Sequence, residues 1–177
     1  MQIFLISGTR GAGAFADNYT HMSERDYYIE QHRKMHRVTK RFRGHSLIEH
    51  IPHIDQLREQ KQCATILDYG CGKAAYWPQH WDITGYDPAY EPYSTKPQGT
   101  YDLVICTDVM EHIPESATAS TLREIFDYSE RWVYLSICTK TSDKRMPDGN
   151  SVHVNVKPRS WWEQQLSTYK NYTVIYT

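Results

Sequence analysis

Leu47, Ile51, Ile54 and Leu57 recur at the spacing of one helix face, which predicts a helix over residues 46–60. Ahead of it, Ser23 and Asp26 stand three apart, a capping pair that opens an earlier helix reaching about residue 42. From residue 64 the pattern changes. Short apolar and β-branched runs at 64–69, 82–86, 101–106 and 132–138 read as strands, and a short helix is expected between the first two. Leu122, Ile125 and Phe126 mark the inward face of a helix at 116–129. Ser160 and Glu163 make a second capping pair for a helix to about residue 169, and residues 172–176 alternate as a last strand. Strands separated by helices build a mainly parallel sheet, so the fold class is α/β. Residues 1–22 read as a short strand and a flexible segment, 23–60 as two helices, and 61–177 as the core. The segment Gly8-Thr9-Arg10-Gly11-Ala12-Gly13-Ala14 lacks the Lys-Ser/Thr pair that would close a phosphate loop.

One stretch carries most of the chemistry: Ile66-Leu67-Asp68-Tyr69-Gly70-Cys71-Gly72-Lys73-Ala74. An apolar run ends in an acid, and two glycines follow at a spacing of two. That is how a buried strand enters a tight turn whose backbone must come close to a ligand. Fifteen residues after Gly72, at the end of the next strand, Asp87 is placed to accept both hydroxyls of a ribose. Gly70-x-Gly72-x-x-Ala75 also satisfies the dinucleotide pattern. Asp68 separates the two readings, because a carboxylate beside the loop repels a pyrophosphate and attracts an ammonium group. A ligand with a ribose and a cation follows, and S-adenosylmethionine fits better than a nicotinamide dinucleotide.

These residues resemble the first motif of class I S-adenosylmethionine-dependent methyltransferases, and Gly85-Tyr86-Asp87-Pro88 resembles their second-strand ribose motif. Tyr101-Asp102-Leu103-Val104-Ile105-Cys106-Thr107-Asp108-Val109-Met110-Glu111-His112 is similar to their fourth strand and the loop after it, and residues 132–137 to their fifth. The resemblance implies a single Rossmann-like domain. It implies that Asp68 holds the methionine amino group, and that Tyr69, Gly70, Cys71 and Gly72 pass beneath the cofactor. Asp87 and Pro88 would lie at the ribose, and Thr107, Asp108 and Val109 would border the adenine or the methionine. There is one departure. Only fourteen residues separate Asp87 from Asp102, three of them proline, too few for the family's third strand and its helices. The sheet is therefore expected to be trimmed between the second and fourth strands, without the usual acid for the adenine amino group.

Composition narrows the picture further. With 177 residues, 40% of them hydrophobic, the chain has the size and the apolar content of one folded domain. Its fourteen tyrosines and five tryptophans suit a site for flat groups. No run approaches the ~20 apolar residues of a membrane span, and residues 1–6 are too short and uncharged for a signal peptide. The four cysteines, Cys63, Cys71, Cys106 and Cys138, show no paired spacing, so a reduced, cytoplasmic setting is the simplest reading. Trp77 and Trp81 flank the second strand and Trp161 and Trp162 open a helix, positions that serve core packing or the covering of a ligand.

Methyl transfer to a hydroxyl needs an in-line approach and a group to take the proton. Asp108, Glu111 and His112 form an acid-x-x-acid-His arrangement at a strand's carboxyl end, and His153 lies on the loop after the neighbouring strand. Catalytic roles fall to His112, Glu111 and His153. The four residues Asp108, Glu111, His112 and His153 also make a donor set for Mg²⁺ or Mn²⁺. The arrangement resembles two metal-dependent O-methyltransferase groups, of the ubiquinone pathway and of small-RNA 2′-O-methylation. A metal site, a metal-free general base and a purely structural Glu-His pair all remain open. Residues 32–45 hold six Lys and Arg, three histidines and no acid, which is either a solvated face or a surface for an anionic partner. The expected activity is O-methylation of a small, anionic acceptor. The alternatives are metal-dependent RNA methylation, nicotinamide-dependent oxidation and non-catalytic nucleoside binding.

Overall fold

The computed structural model describes residues 22–38 and 42–177, so the strand and the glycine-rich segment expected in 1–22 lie outside the described residues. The elements run α1 (Glu24–Val38), α2 (Leu47–Lys61), β1 (Thr65–Tyr69), β2 (Asp82–Tyr86), β3 (Tyr101–Thr107), α3 (Glu115–Asp127), β4 (Ser129–Ile137), α4 (Arg159–Leu166) and β5 (Tyr172–Tyr176). The five strands form one sheet in the order β2-β1-β3-β4-β5, and every pair is parallel. No helix among the described residues is long and apolar enough to cross a membrane.

Strands buried on both faces read as unbroken apolar runs, and β1 and β3 do so because helices cover both sides. On one face Ile66, Leu103, Ile105 and Tyr134 meet Leu47, Ile54 and Leu57 of α2. On the other, Leu67, Val104, Val133 and Leu135 meet Leu122 and Ile125 of α3 and Trp162 and Leu166 of α4. Trp162 is fully buried there, while Trp161 packs half-buried at its edge. The trimmed region is as the chain length required. Between β2 and β3 the only regular piece is a single 3-10 turn, Glu91–Tyr93, which leaves β2 at the sheet's edge.

Three local expectations need correction. Residues 70–81 form turns and no helix, because their backbone is tied elsewhere: Lys73 N–H donates to the Phe42 carbonyl at 2.8 Å and Ala75 N–H to that of Arg43 at 3.0 Å. Helix α4 starts behind Pro158, whose fixed φ suits a helix entry, and Ser160 makes no cap. Helix α1 is described as far as Val38, residues 39–41 lie outside the described residues, and Phe42, with φ of +56°, is not helical. The capping pair of α1 does form: Asp26 N–H donates to Ser23 Oγ at 3.1 Å, and Ser23 Oγ–H donates to Asp26 Oδ2 at 2.6 Å.

Topology then locates the site. The chain leaves β1 for β2 on one side and returns to β3 on the other, so the loops after β1 and β3 run in opposite directions and leave a crevice at the strands' carboxyl ends. That crevice is where open α/β sheets take ligands. Helix α1 closes it from outside, anchored at Arg25, which donates to Glu124 of α3 at 2.8 Å and to Tyr69 Oη at 3.1 Å. Met35 packs with Met146 and Val152, joining α1 to the loop after β4.

Candidate cofactor and acceptor site

A cavity of about 500 Å³ occupies the crevice, within the range of about 300–1,000 Å³ usual for small-molecule sites. Its walls include Asp68 to Gly72 after β1, Asp87 and Pro88 after β2, and Thr107 to Val109 after β3. Glu111, His112 and His153 line the same space. All the site residues read from the sequence therefore face one cavity.

The glycine turn is closed by the protein's own atoms. Gly70 and Gly72 have φ of +82° and +56°, a left-handed conformation that favours glycine. A Cβ on Gly70 would come within 2.4 Å of Val109 Cγ2, and one on Gly72 within 2.4 Å of the Phe42 carbonyl oxygen. The segment just before α2 thus lies across the turn and holds its floor in place. Such a cradle fits the passage of a cofactor backbone beneath the carboxylates.

Both acids are buried. Asp87 accepts the Gly72 amide on Oδ2 at 2.9 Å and the Ala89 amide on Oδ1 at 2.8 Å. Burial raises its pKa, while these amides pull it back. Asp68 accepts the indole N–H of Trp77 at 2.7 Å, and burial, opposed by that bond and reinforced by Asp87, lifts it to about 7. Sequence reading left Trp77 between packing and ligand covering. Its position as the partner of Asp68 went unread because the two stand nine positions apart with mostly irregular chain between them.

At the other end, Asp108 has φ of +53° and accepts Ser136 Oγ–H at 2.6 Å, which turns its carboxylate toward β4. Glu111 and His112 sit on the 3-10 turn Met110–His112. The Val154 and Asn155 amides donate to the Glu111 carbonyl at 2.9 and 3.0 Å. That pins the distant loop so that the His153 ring stands edge-on to His112 at 4.9 Å. Glu111 is wholly buried and neither carboxylate oxygen has a hydrogen-bond partner. Burial, with Asp108 nearby, pushes it up to about 8, tempered only by the Glu111 and Cys138 amides, neither of which reaches hydrogen-bond geometry with the carboxylate. His112 Nδ1 lies 2.7 Å from the Val152 carbonyl. A carbonyl can only accept, so Nδ1 carries the proton and Nε2 keeps a lone pair. Burial first, then His32 and His153, lowers His112 to about 3, so its ring is neutral.

Helix α1 contributes two histidines that sequence reading counted in a basic run. His32 stands edge-on to His112 at 5.1 Å, and His36 Nε2 lies 3.9 Å from Asp87 Oδ2. Burial lowers both to about 4, so the His36–Asp87 approach joins a neutral imidazole to a carboxylate and is no ion pair. Their spacing of four places them on one helix face, a signal present in the sequence. Arg33 of the same run is engaged by Glu30 and the Pro88 carbonyl.

Among the described residues, one group of three brings metal-ligand atoms within 4.8 Å of one another: Glu111, Cys138 and His153. Asp108 and His112, read with Glu111 and His153 as a hard-cation set, are not in it.

A family model described as a methyltransferase domain matches residues 30–172. No curated protein and no solved structure matches the chain.

Proposed function

Because the chain belongs to this methyltransferase-domain family, whose class I, Rossmann-like architecture it shares, we propose that it methylates a hydroxyl oxygen of a small acceptor with S-adenosylmethionine as donor. One observation carries the reading. A single cavity joins two buried acids beside a glycine turn to a neutral histidine with a free Nε2 lone pair.

When bound, S-adenosylmethionine supplies an electrophilic methyl group on its sulfonium. In this reading Asp68 holds the amino group and Asp87 the ribose hydroxyls. Gly70 and Gly72 carry the backbone under the cofactor, with Tyr69, Cys71 and Pro88 beside it and Thr107, Asp108 and Val109 along the opposite wall. His112 takes the acceptor's proton at Nε2, its tautomer set by the Val152 carbonyl. Its depressed pKa keeps it unprotonated at working pH but weakens its pull on the proton, so help from a group that acidifies the acceptor is expected. Exposed Arg43 and Lys144 line the cavity and favour an acceptor with negative charge.

The test uses the full chain with S-adenosylhomocysteine in calorimetry and labelled donor in fractionated extract. Binding, with label entering small molecules, is the expected result. Absence of binding removes the cofactor reading, and label in RNA moves the acceptor to nucleic acid.

A further inference from the structure

Glu111, Cys138 and His153 come from three separate segments: the turn after β3, the residue just past β4, and the loop before α4. One ligand atom from each lies within 4.8 Å of the others, and all three side chains line the cavity. Two independent features point to a ligand between them. Glu111 is 0% exposed, and both of its carboxylate oxygens lack a partner, an arrangement that folding disfavours unless a bound cation or hydrogen-bond donor meets them. His153 Nδ1 lies 2.8 Å from the Lys140 carbonyl. That bond fixes the proton on Nδ1 and leaves Nε2 as a lone pair, the way a backbone acceptor orients a metal-binding imidazole.

We propose that Glu111, Cys138 and His153 bind a divalent transition-metal ion of the zinc type at the acceptor end of the cavity. A thiolate, an imidazole and a carboxylate together suit Zn²⁺ or its substitute Co²⁺, whereas Mg²⁺ prefers oxygen alone. Three protein ligands leave a fourth position open, as in catalytic zinc sites. All three ligands line the cavity, where an acceptor hydroxyl bound to the ion would become more acidic. His112, beside His153 but outside the ligand group, remains available as the base. The metal site itself does not depend on the methyltransferase reading; only its consequence for the acceptor does.

The experiment uses the full-length protein, stripped with a chelator and dialysed against Zn²⁺, Co²⁺ or Mg²⁺. One Zn²⁺ per chain is expected, held far more tightly than Mg²⁺, with Co²⁺ giving a thiolate-to-cobalt charge-transfer band. Cys138→Ser should abolish that band, and Glu111→Gln or His153→Ala should weaken Zn²⁺ by more than the roughly 10- to 100-fold that loss of an outer-shell partner costs. Cys138 is only half-buried, so its variant decides the matter even if loss of Glu111 prevents folding. No stoichiometric uptake, a cobalt band that survives Cys138→Ser, or equal affinity for Mg²⁺ would overturn the proposal. S-adenosylhomocysteine binding without metal uptake sinks this site and leaves the methyltransferase reading standing. Metal uptake without S-adenosylhomocysteine binding does the reverse.

Discussion

Asp87 is oriented from within before any ligand arrives. The Gly72 and Ala89 amides each occupy one of its oxygens, and each oxygen retains a further lone pair for a hydroxyl. Asp87→Ala should therefore weaken S-adenosylhomocysteine by roughly 1.5–3 kcal/mol, the range for hydrogen bonds to a charged group. Titration calorimetry measures this, and unchanged affinity would take Asp87 out of the ribose role. His112 calls for a different readout. Its Nδ1–H is committed to the Val152 carbonyl, so only Nε2 is left for chemistry. His112→Ala is expected to lower kcat by about 10²–10⁴-fold, the usual worth of a positioned base, and to leave S-adenosylhomocysteine affinity nearly unchanged. Equal losses in both would make the ring structural.

The segment between α1 and α2 governs the glycine turn more than the turn's own sequence does. Phe42 accepts the Lys73 amide and Arg43 the Ala75 amide, and the Phe42 carbonyl fills the space where a Gly72 side chain would go. Gly72→Ala thus meets two obstacles, a left-handed φ and a backbone atom that cannot rotate away. It should destabilise the fold by about 1–3 kcal/mol, read from urea unfolding midpoints, and a midpoint equal to wild type would show the strap to be yielding. What was legible beforehand follows from the same physics. β1 and β3 stand out because burial on both faces writes a continuous apolar run, and the missing strand follows from chain length alone. The false helix at 70–81 arose because tertiary hydrogen bonds to the strap override local tendency. His32 and His36 stayed hidden because α1 turns these polar side chains inward onto the cavity, where apolar periodicity is silent. Cys138 could not be paired with Glu111 at all, since only the register of β3 with β4 and the loop at 152–155 brings them together.

Burial of so many titratable groups in one crevice makes the protein's stability a function of pH, with two opposing slopes. His32 and His36 are lowered to about 4 and His112 to about 3, each chiefly by burial. Between those values and the ordinary histidine pKa of about 6.5, the unfolded chain binds more protons than the folded one, so stability rises with pH. Asp68 acts in the other sense. Folded, it holds its proton to about 7; unfolded, it is ionised above about 3.9, so stability falls as pH climbs across that interval. Burial raises Asp87 and Glu111 as well, the latter to about 8, and they add to the fall. Below about pH 6.5 the two groups largely offset each other, and above it the histidines drop out. The thermal midpoint of chelator-treated protein should therefore be nearly flat from about pH 5 to about pH 6.5 and decline toward about pH 8. Asp68→Asn keeps an oxygen for the Trp77 indole and removes the buried charge, so it should flatten part of that decline and raise the midpoint at pH 8 by several degrees. The same variant should lose the gain in S-adenosylhomocysteine affinity that wild type shows as pH rises through about 7, because only an ionised Asp68 attracts the ammonium group. A wild-type midpoint that keeps rising beyond pH 7, or an affinity indifferent to pH in that range, would mean that Asp68 is already ionised in the free protein.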